Sequence, residues 1–180
     1  MLRTTLAKAY IKRTIRPLYA WDQATPVDCL LDPAWNKARD IYPGMALMRK
    51  ASAASGASEL VTLVDDTGVV FGLSGLYIAP TYGIDEVGDS GVNSLPVWVL
   101  GPDAEFEILD PAFDSAATWT FPTNGTELLV HAYNATAGAK QGVLAPAGAA
   151  NITVKPVARA VARPDTGRLI IRGLGLSAAY

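Results

Sequence analysis

Residues 96–114, PVWVLGPDAEFEILDPAFD, constrain the fold of this chain more than any other stretch. Val97, Trp98, Val99 and Leu100 form a short, wholly apolar run, the pattern of a strand covered on both faces. Gly101-Pro102-Asp103 interrupts it with turn residues. After the turn, Ala104, Phe106 and Ile108 alternate with Glu105 and Glu107, so a second strand has one apolar face and one face with two carboxylates. The stretch predicts a hairpin at the centre of a sheet, with Glu105 and Glu107 on an outward polar edge open to a neighbour. Asp110-Pro111 predicts a short helix, because Asp caps a helix N-terminus and Pro suits its first turn.

The flanking segments carry the same kind of punctuation. Asp32-Pro33-Ala34-Trp35 predicts a second short helix ending near Arg39. Residues 45–49 read as a strand, and residues 60–64 and 69–73 as a hairpin across Asp65-Asp66-Thr67-Gly68. Residues 127–133 form a further strand, and residues 152–162 and 168–174 a terminal hairpin over Pro164-Asp165-Thr166-Gly167. Residues 135–150, rich in Gly and Ala, predict a long mobile loop or a second arm. With 16 Gly and 12 Pro favouring turns over long helices, the expectation is a mainly β protein. It is a compact sandwich-like or barrel-like domain over residues 26–180 with one or two short helices, preceded by an extended arm over residues 1–25.

That arm is set apart by charge. The whole chain carries a net charge of -2, yet Arg3, Lys8, Lys12, Arg13 and Arg16 all precede the first acidic residue, Asp22. The apolar residues among them, including Tyr10, Ile11, Tyr19 and Trp21, follow neither the helical nor the strand period throughout, and Pro17 stops a helix. A basic arm seeking an acidic surface, a mitochondrial transit peptide and a solvated basic tail all fit this composition. Ordering about twenty residues costs roughly 1–2 kcal/mol each, whereas each large anchor returns roughly 1.5–3 kcal/mol on burial. Alone, such an arm does not fold; it is expected to order by adding its backbone to another sheet or chain.

Chemistry is harder to find. Cys29, the single cysteine, excludes an intrachain disulfide framework and a cysteine-based zinc cluster, and reads as a small buried apolar residue. No uncharged apolar run approaches the 18 or so residues of a membrane span, so a soluble protein is expected. Gly88-Asp89-Ser90-Gly91 resembles the nucleophile loop of chymotrypsin-like proteases, but the sole histidine, His131, follows the serine instead of preceding it and sits in an apolar strand pattern. Asp66-Thr67-Gly68 and Asp165-Thr166-Gly167 resemble the paired triplets of aspartic proteases, yet Val69 and Arg168 follow where that family has a small residue, and both triplets suit ordinary turns. Asp85, Glu86 and Asp89 miss the calcium-loop template. Asn124, Asn134 and Asn151 open sequons that, without a secretory signal, read as turn chemistry. No catalytic residue, cofactor or metal is expected, and the acidic body argues against nucleic acid.

Tyr42-Pro43-Gly44-Met45, the segment Phe71-Gly72-Leu73-Ser74-Gly75-Leu76, the loop Gly83-Ile84-Asp85-Glu86-Val87 and the central 97–107 run together resemble structural proteins of tailed-phage virions, and more narrowly their head decoration, or cement, proteins. The resemblance spans about residues 41–113 and is carried by structural punctuation. It implies a β-rich, non-enzymatic protein on the outer surface of the expanded capsid, commonly a trimer or dimer, which ties neighbouring major capsid protein subunits together without membrane or nucleic-acid contact. Under that implication Arg3, Lys8, Lys12, Arg13 and Arg16 meet acidic capsid surface, with Tyr10, Ile11, Tyr19 and Trp21 as apolar anchors. Two rivals are a tail-tube or head-completion protein and a hydrolase using Asp66 and Asp165.

Overall fold

The computed structural model describes residues 14–32, 40–50, 59–66, 69–78, 95–121, 127–161, 165 and 167–174. In chain order the strands are β1 (Ile15–Tyr19), β2 (Thr25–Leu31), β3 (Ala46–Arg49), β4 (Glu59–Leu63), β5 (Val70–Ser74), β6 (Leu95–Val99), β7 (Glu105–Leu109), β8 (Leu128–Ala132), β9 (Leu144–Pro146), β10 (Ala158–Ala160) and β11 (Arg168–Gly173). Five of them close a barrel in the order β2-β4-β3-β5-β6, and the other six form a sheet in the order β1-β7-β11-β10-β8-β9. The mainly β, barrel-like expectation holds.

The barrel closes where β2 returns antiparallel to β6, from Thr25 opposite Val99 to Cys29 opposite Leu95. Leu31, Leu47, Val61, Leu73, Leu95 and Val97 are buried in it, and Cys29 is buried as its composition suggested. The sheet lays one face on this body. Phe106 and Ile108 of β7, Leu169 and Ile171 of β11, Ala158 and Ala160 of β10 and Val130 of β8 are all buried, and they join the barrel residues in one core cluster. The facing of alternate residues along β7 and β11 makes this possible, since a period of two puts every second side chain on the same face. Trp98 of the barrel and Phe106 of the sheet touch across the junction with ring centroids 5.5 Å apart.

The expected central hairpin is therefore two strands of two different layers. β6 pairs with β2 and β5, whereas β7 pairs with β1 and β11. Gly101 marks the crossing: a Cβ there would lie 2.1 Å from the Gln23 carbonyl oxygen, and one on Gly173 would lie 2.1 Å from that of Gly101. Three backbones meet at this point, which only glycine permits. The hairpin expected across Asp65–Gly68 is likewise absent, because β3 lies between β4 and β5 and pairs with both. The terminal hairpin is present, with β10 and β11 antiparallel from Ala158 opposite Gly173 to Ala160 opposite Ile171.

Three further expectations change, and one lies outside the described residues. Residues 110–114 form turns around a cis Asp110–Pro111 peptide instead of a helix. The helix expected at 32–39 falls largely outside the described residues. Residues 135–150 are neither loop nor arm: Ala135–Lys140 forms 3-10 turns capped by Asn134, and Leu144, Ala145 and Pro146 are buried in β9. Their small side chains serve close packing, as at Gly142, where a Cβ would sit 2.8 Å from Leu63 Cδ2 of the barrel. Finally, Ile15–Tyr19 of the expected arm is a strand in the protein's own sheet, with Ile15 opposite Ile108 and Arg16 opposite Glu107.

Candidate functional site

With Phe106 and Ile108 turned inward, β7 presents Glu105 and Glu107 on the outer face of the sheet, and the strands on both sides set arginines against them. From β1, Arg16 Nε lies 2.8 Å from Glu107 Oε2. From β11, Arg168 Nε pairs with the other oxygen of the same carboxylate. Glu105 faces Arg172 across the register and accepts from its Nε at 3.0 Å and Nη2 at 2.6 Å. Arg172 Nη1 also lies 3.4 Å from Glu127, which takes Arg159 Nη1 of β10 at 3.0 Å. A ladder of alternating charge thus crosses four adjacent strands, β1, β7, β11 and β10.

The two signs are not equally exposed. The Glu107 side chain is 8% exposed, while its partners Arg16 and Arg168 are 63% and 45% exposed. Glu105 and Glu127 are likewise more covered than Arg172 and Arg159. Length explains the difference: an arginine lays its apolar stem along the surface and keeps its head in water, whereas a short carboxylate on a strand stays beneath. The solvent-facing layer is therefore guanidinium. Glu105 and Glu107 are not the open polar edge expected from the sequence, because each already has its cations. Pairs this exposed are worth roughly 0.2–1 kcal/mol each, so the ladder adds little to stability pair by pair. Stripping both arginines from the buried Glu107 is another matter, costing roughly 3–5 kcal/mol as an uncompensated charge. The Glu105 hydrogen bond outweighs partial desolvation and raises the Arg172 pKa further above its ordinary value.

At the end of β1, Tyr19, Ala20, Gln23, Asp103, Glu105 and Arg172 line an open cleft of about 350 Å³. Of the residues proposed from sequence, Arg16 and Tyr19 lie on β1 and Trp21 opens the 3-10 turn Trp21–Gln23. Tyr19 is 68% exposed. Arg3, Lys8, Tyr10, Ile11, Lys12 and Arg13 lie outside the described residues. Arg159, Arg168 and Arg172 are not singled out by the sequence; the alternation of Arg168, Ile170 and Arg172 with Leu169 and Ile171 signals one face for the two arginines of β11, and only the pairing of β10 with β11 brings Arg159 beside them.

A second charged cluster lies at the turn after β7. Asp114 accepts from Tyr133 Oη at 2.7 Å, Lys140 Nζ at 2.6 Å and the Ala116 amide at 3.2 Å, while its carbonyl accepts from Trp119 Nε1 at 2.9 Å. Burial alone would raise the Asp114 pKa, but the bonds from Lys140 and Tyr133 outweigh it and hold the carboxyl below the usual range. Burial, and then the adjacent Asp114 carboxylate, push the Tyr133 hydroxyl up to about 12. This cluster ties the turn after β7 to β8 and is structural.

The motifs weighed as catalytic are placed as follows. His131 is buried on β8 with Nδ1 2.7 Å from the Thr153 carbonyl oxygen. Asp66 accepts from Thr136 Oγ1 at 3.2 Å, and Asp165 exchanges backbone hydrogen bonds with Arg168 across its turn. Asn134 caps a 3-10 turn, and Asn151 takes a positive φ of 58°. Ser90 lies outside the described residues. Among the described residues, no group of three or more His, Cys, Asp or Glu is arranged to hold a metal ion, and no helix is long and apolar enough to cross a membrane.

Compared with known families, residues 1–179 match a family model described as phage cement protein. No curated protein and no solved structure matches the chain.

Proposed function

The chain belongs to the phage cement protein family, whose members are capsid-associated structural proteins, and from this premise we propose that it binds the exterior of the phage head and ties neighbouring major capsid protein subunits together. The observation that carries the reading is the edge strand β1. Among the described residues β1 pairs only with β7, and the run holding Arg3, Lys8, Lys12 and Arg13 joins the body directly ahead of it. The opposite edge, β9, is covered instead by residues 112–114, since Leu144 donates to the Ala112 carbonyl and accepts from the Asp114 amide.

A basic segment fixed to a rigid edge suits an acidic partner surface. Thr14 anchors the junction, with its hydroxyl donating to the Pro43 carbonyl and its own carbonyl accepting from the Leu109 amide at 2.8 Å. In this reading Arg3, Lys8, Lys12, Arg13 and Arg16 meet acidic capsid surface, and Tyr10, Ile11, Tyr19 and Trp21 supply apolar contact. Pro17 on β1 carries no amide hydrogen and so disfavours addition of a further strand, which leaves side chains as the means of attachment. Each contact is weak, and retention comes from repetition over the capsid lattice, with copies associating as dimers or trimers.

The test uses the full-length chain with Arg3, Lys8, Lys12 and Arg13 replaced by Gln, titrated onto expanded heads that lack this protein. Half-saturation is expected to need roughly tenfold more protein at low ionic strength, with a smaller gap at high salt. Undiminished occupancy overturns the role of the arm. Polymerisation of the wild type into tubes, with no binding to heads, overturns the capsid reading itself.

A further inference from the structure

We propose that the arginine-topped outer face of the six-stranded sheet is a second docking surface, fitted to an acidic protein surface on the capsid. It rests on the reading that the protein seats on the head, and extends the contact from the N-terminal run to the folded body. The face is Arg16 of β1, Arg168 and Arg172 of β11 and Arg159 of β10.

Three observations carry it. The first is layering: in every pair of the ladder the arginine is the more exposed partner, at 63%, 51%, 45% and 37% for Arg16, Arg159, Arg168 and Arg172. What a partner meets is therefore guanidinium, although the ladder as a whole is nearly balanced in charge. Arg16 and Arg168 each approach Glu107 through Nε, and a guanidinium carries five N–H donors suited to bidentate capture of carboxylates.

The second observation is preorganisation. Glu105, Glu107 and Glu127 hold the arginine heads in place before any partner arrives, so less side-chain freedom is lost on docking than from four unrestrained side chains. The third is continuity. Arg16 is at once the last residue of the basic N-terminal run and the first of the arginine-topped face, so the two are continuous in the chain at β1. Apolar surface adjoins the charges, as in the mixed composition of protein interfaces: Leu129 of β8 flanks Arg159 and is 39% exposed, and Val161, 37% exposed, bonds Ile170 through its amide one step on.

A protein carboxylate surface fits this face better than a nucleic acid backbone. Duplex DNA presents a charge every ~1.7 Å and would bring phosphates over Glu105 and Glu127 as well as over the arginines. Discrete carboxylates of a folded partner can be matched to the arginines one at a time.

The variant Arg159→Gln/Arg168→Gln leaves every carboxylate of the ladder one arginine, Arg16 for Glu107 and Arg172 for Glu105 and Glu127. It is titrated beside the wild type and the charge-retaining Arg159→Lys/Arg168→Lys variant onto expanded heads lacking this protein, with thermal melts as the folding control. Half-saturation is expected to move roughly five- to tenfold for the Gln pair at low salt, and to recover largely with the Lys pair. Should the Gln pair melt early, Arg159→Gln alone is expected to bind about threefold more weakly. Wild-type binding matched by both Gln variants overturns the docking face and leaves the capsid reading standing, whereas a wild type that does not bind heads removes both. Competitors separate the partners: displacement from heads by poly-glutamate supports the proposal, and displacement by duplex DNA without displacement by poly-glutamate overturns it.

Discussion

Five strands of this protein close on themselves, with β2 returning to β6, while the other six leave an open sheet whose β1 edge is paired on one side only among the described residues. The two regions share one core, yet they dispose of their backbone differently. Closure removes edges altogether, so the barrel has no row of unpaired amides to protect. The sheet keeps an edge, lays a charged ladder over its outer face and receives the basic N-terminal run at that edge. On the reading proposed above, the barrel is a stabilising body and the sheet carries the features that a partner can use.

This comparison breaks most readily at the junction. Phe106→Ala removes the ring that packs on Trp98 between the layers and is expected to cost roughly 3–5 kcal/mol. Because the core is continuous, near- and far-UV dichroism should lose signal in one transition. Two separated transitions would mean that barrel and sheet are independent units. A smaller effect separates the two charged clusters. Asp114→Asn removes the carboxylate held by Tyr133 and Lys140 and is expected to cost about 1–3 kcal/mol at neutral pH in a denaturant melt. The Asp114 pKa is lowered from 3.8 in the folded protein, so its contribution is present above that value and is lost as pH falls through the lowered one. The gap between wild type and variant should therefore close in acid. At the other end, the Tyr133 pKa is raised from 10.0 to about 12, so stability present below pH 10 should be lost as pH rises towards 12, and Tyr133→Phe should remove that component. Smallest of all, Arg168→Gln leaves Glu107 with Arg16 and is expected to cost only about 0.2–1 kcal/mol, since the ladder faces outward.

How far the sequence could be read follows from the range of each interaction. Strand positions were legible where alternation is local: the Phe106 and Ile108 pattern, the β10–β11 hairpin and the burial of Cys29 all match. Pairing between strands distant in sequence was not. Gly101-Pro102-Asp103 has the composition of a hairpin turn, but the partners of β6 and β7 lie far away in sequence, as with Val99 opposite Thr25 and Glu105 opposite Arg172. Gly101 serves a close backbone crossing with Gln23 and Gly173, and nothing local to it signals that. The candidate site was half legible for the same reason. Arg16 stood out through the charge asymmetry of the first residues, whereas Arg159, Arg168 and Arg172 become one face only once β11 is placed between β7 and β10. The burial of Glu107 is not legible from the sequence, because a residue on an alternating polar face can still be covered by longer neighbours on both sides.

The central claim is directional: the sheet with its β1 edge faces the capsid and the barrel faces outward. A cryo-electron microscopy reconstruction of expanded heads decorated with the wild-type protein tests this directly. The account predicts that Arg16, Arg159, Arg168 and Arg172 lie against the capsid shell, with density for the N-terminal run continuing from β1 onto it. A reconstruction with the barrel seated on the shell and the β1 edge turned to solvent would contradict it.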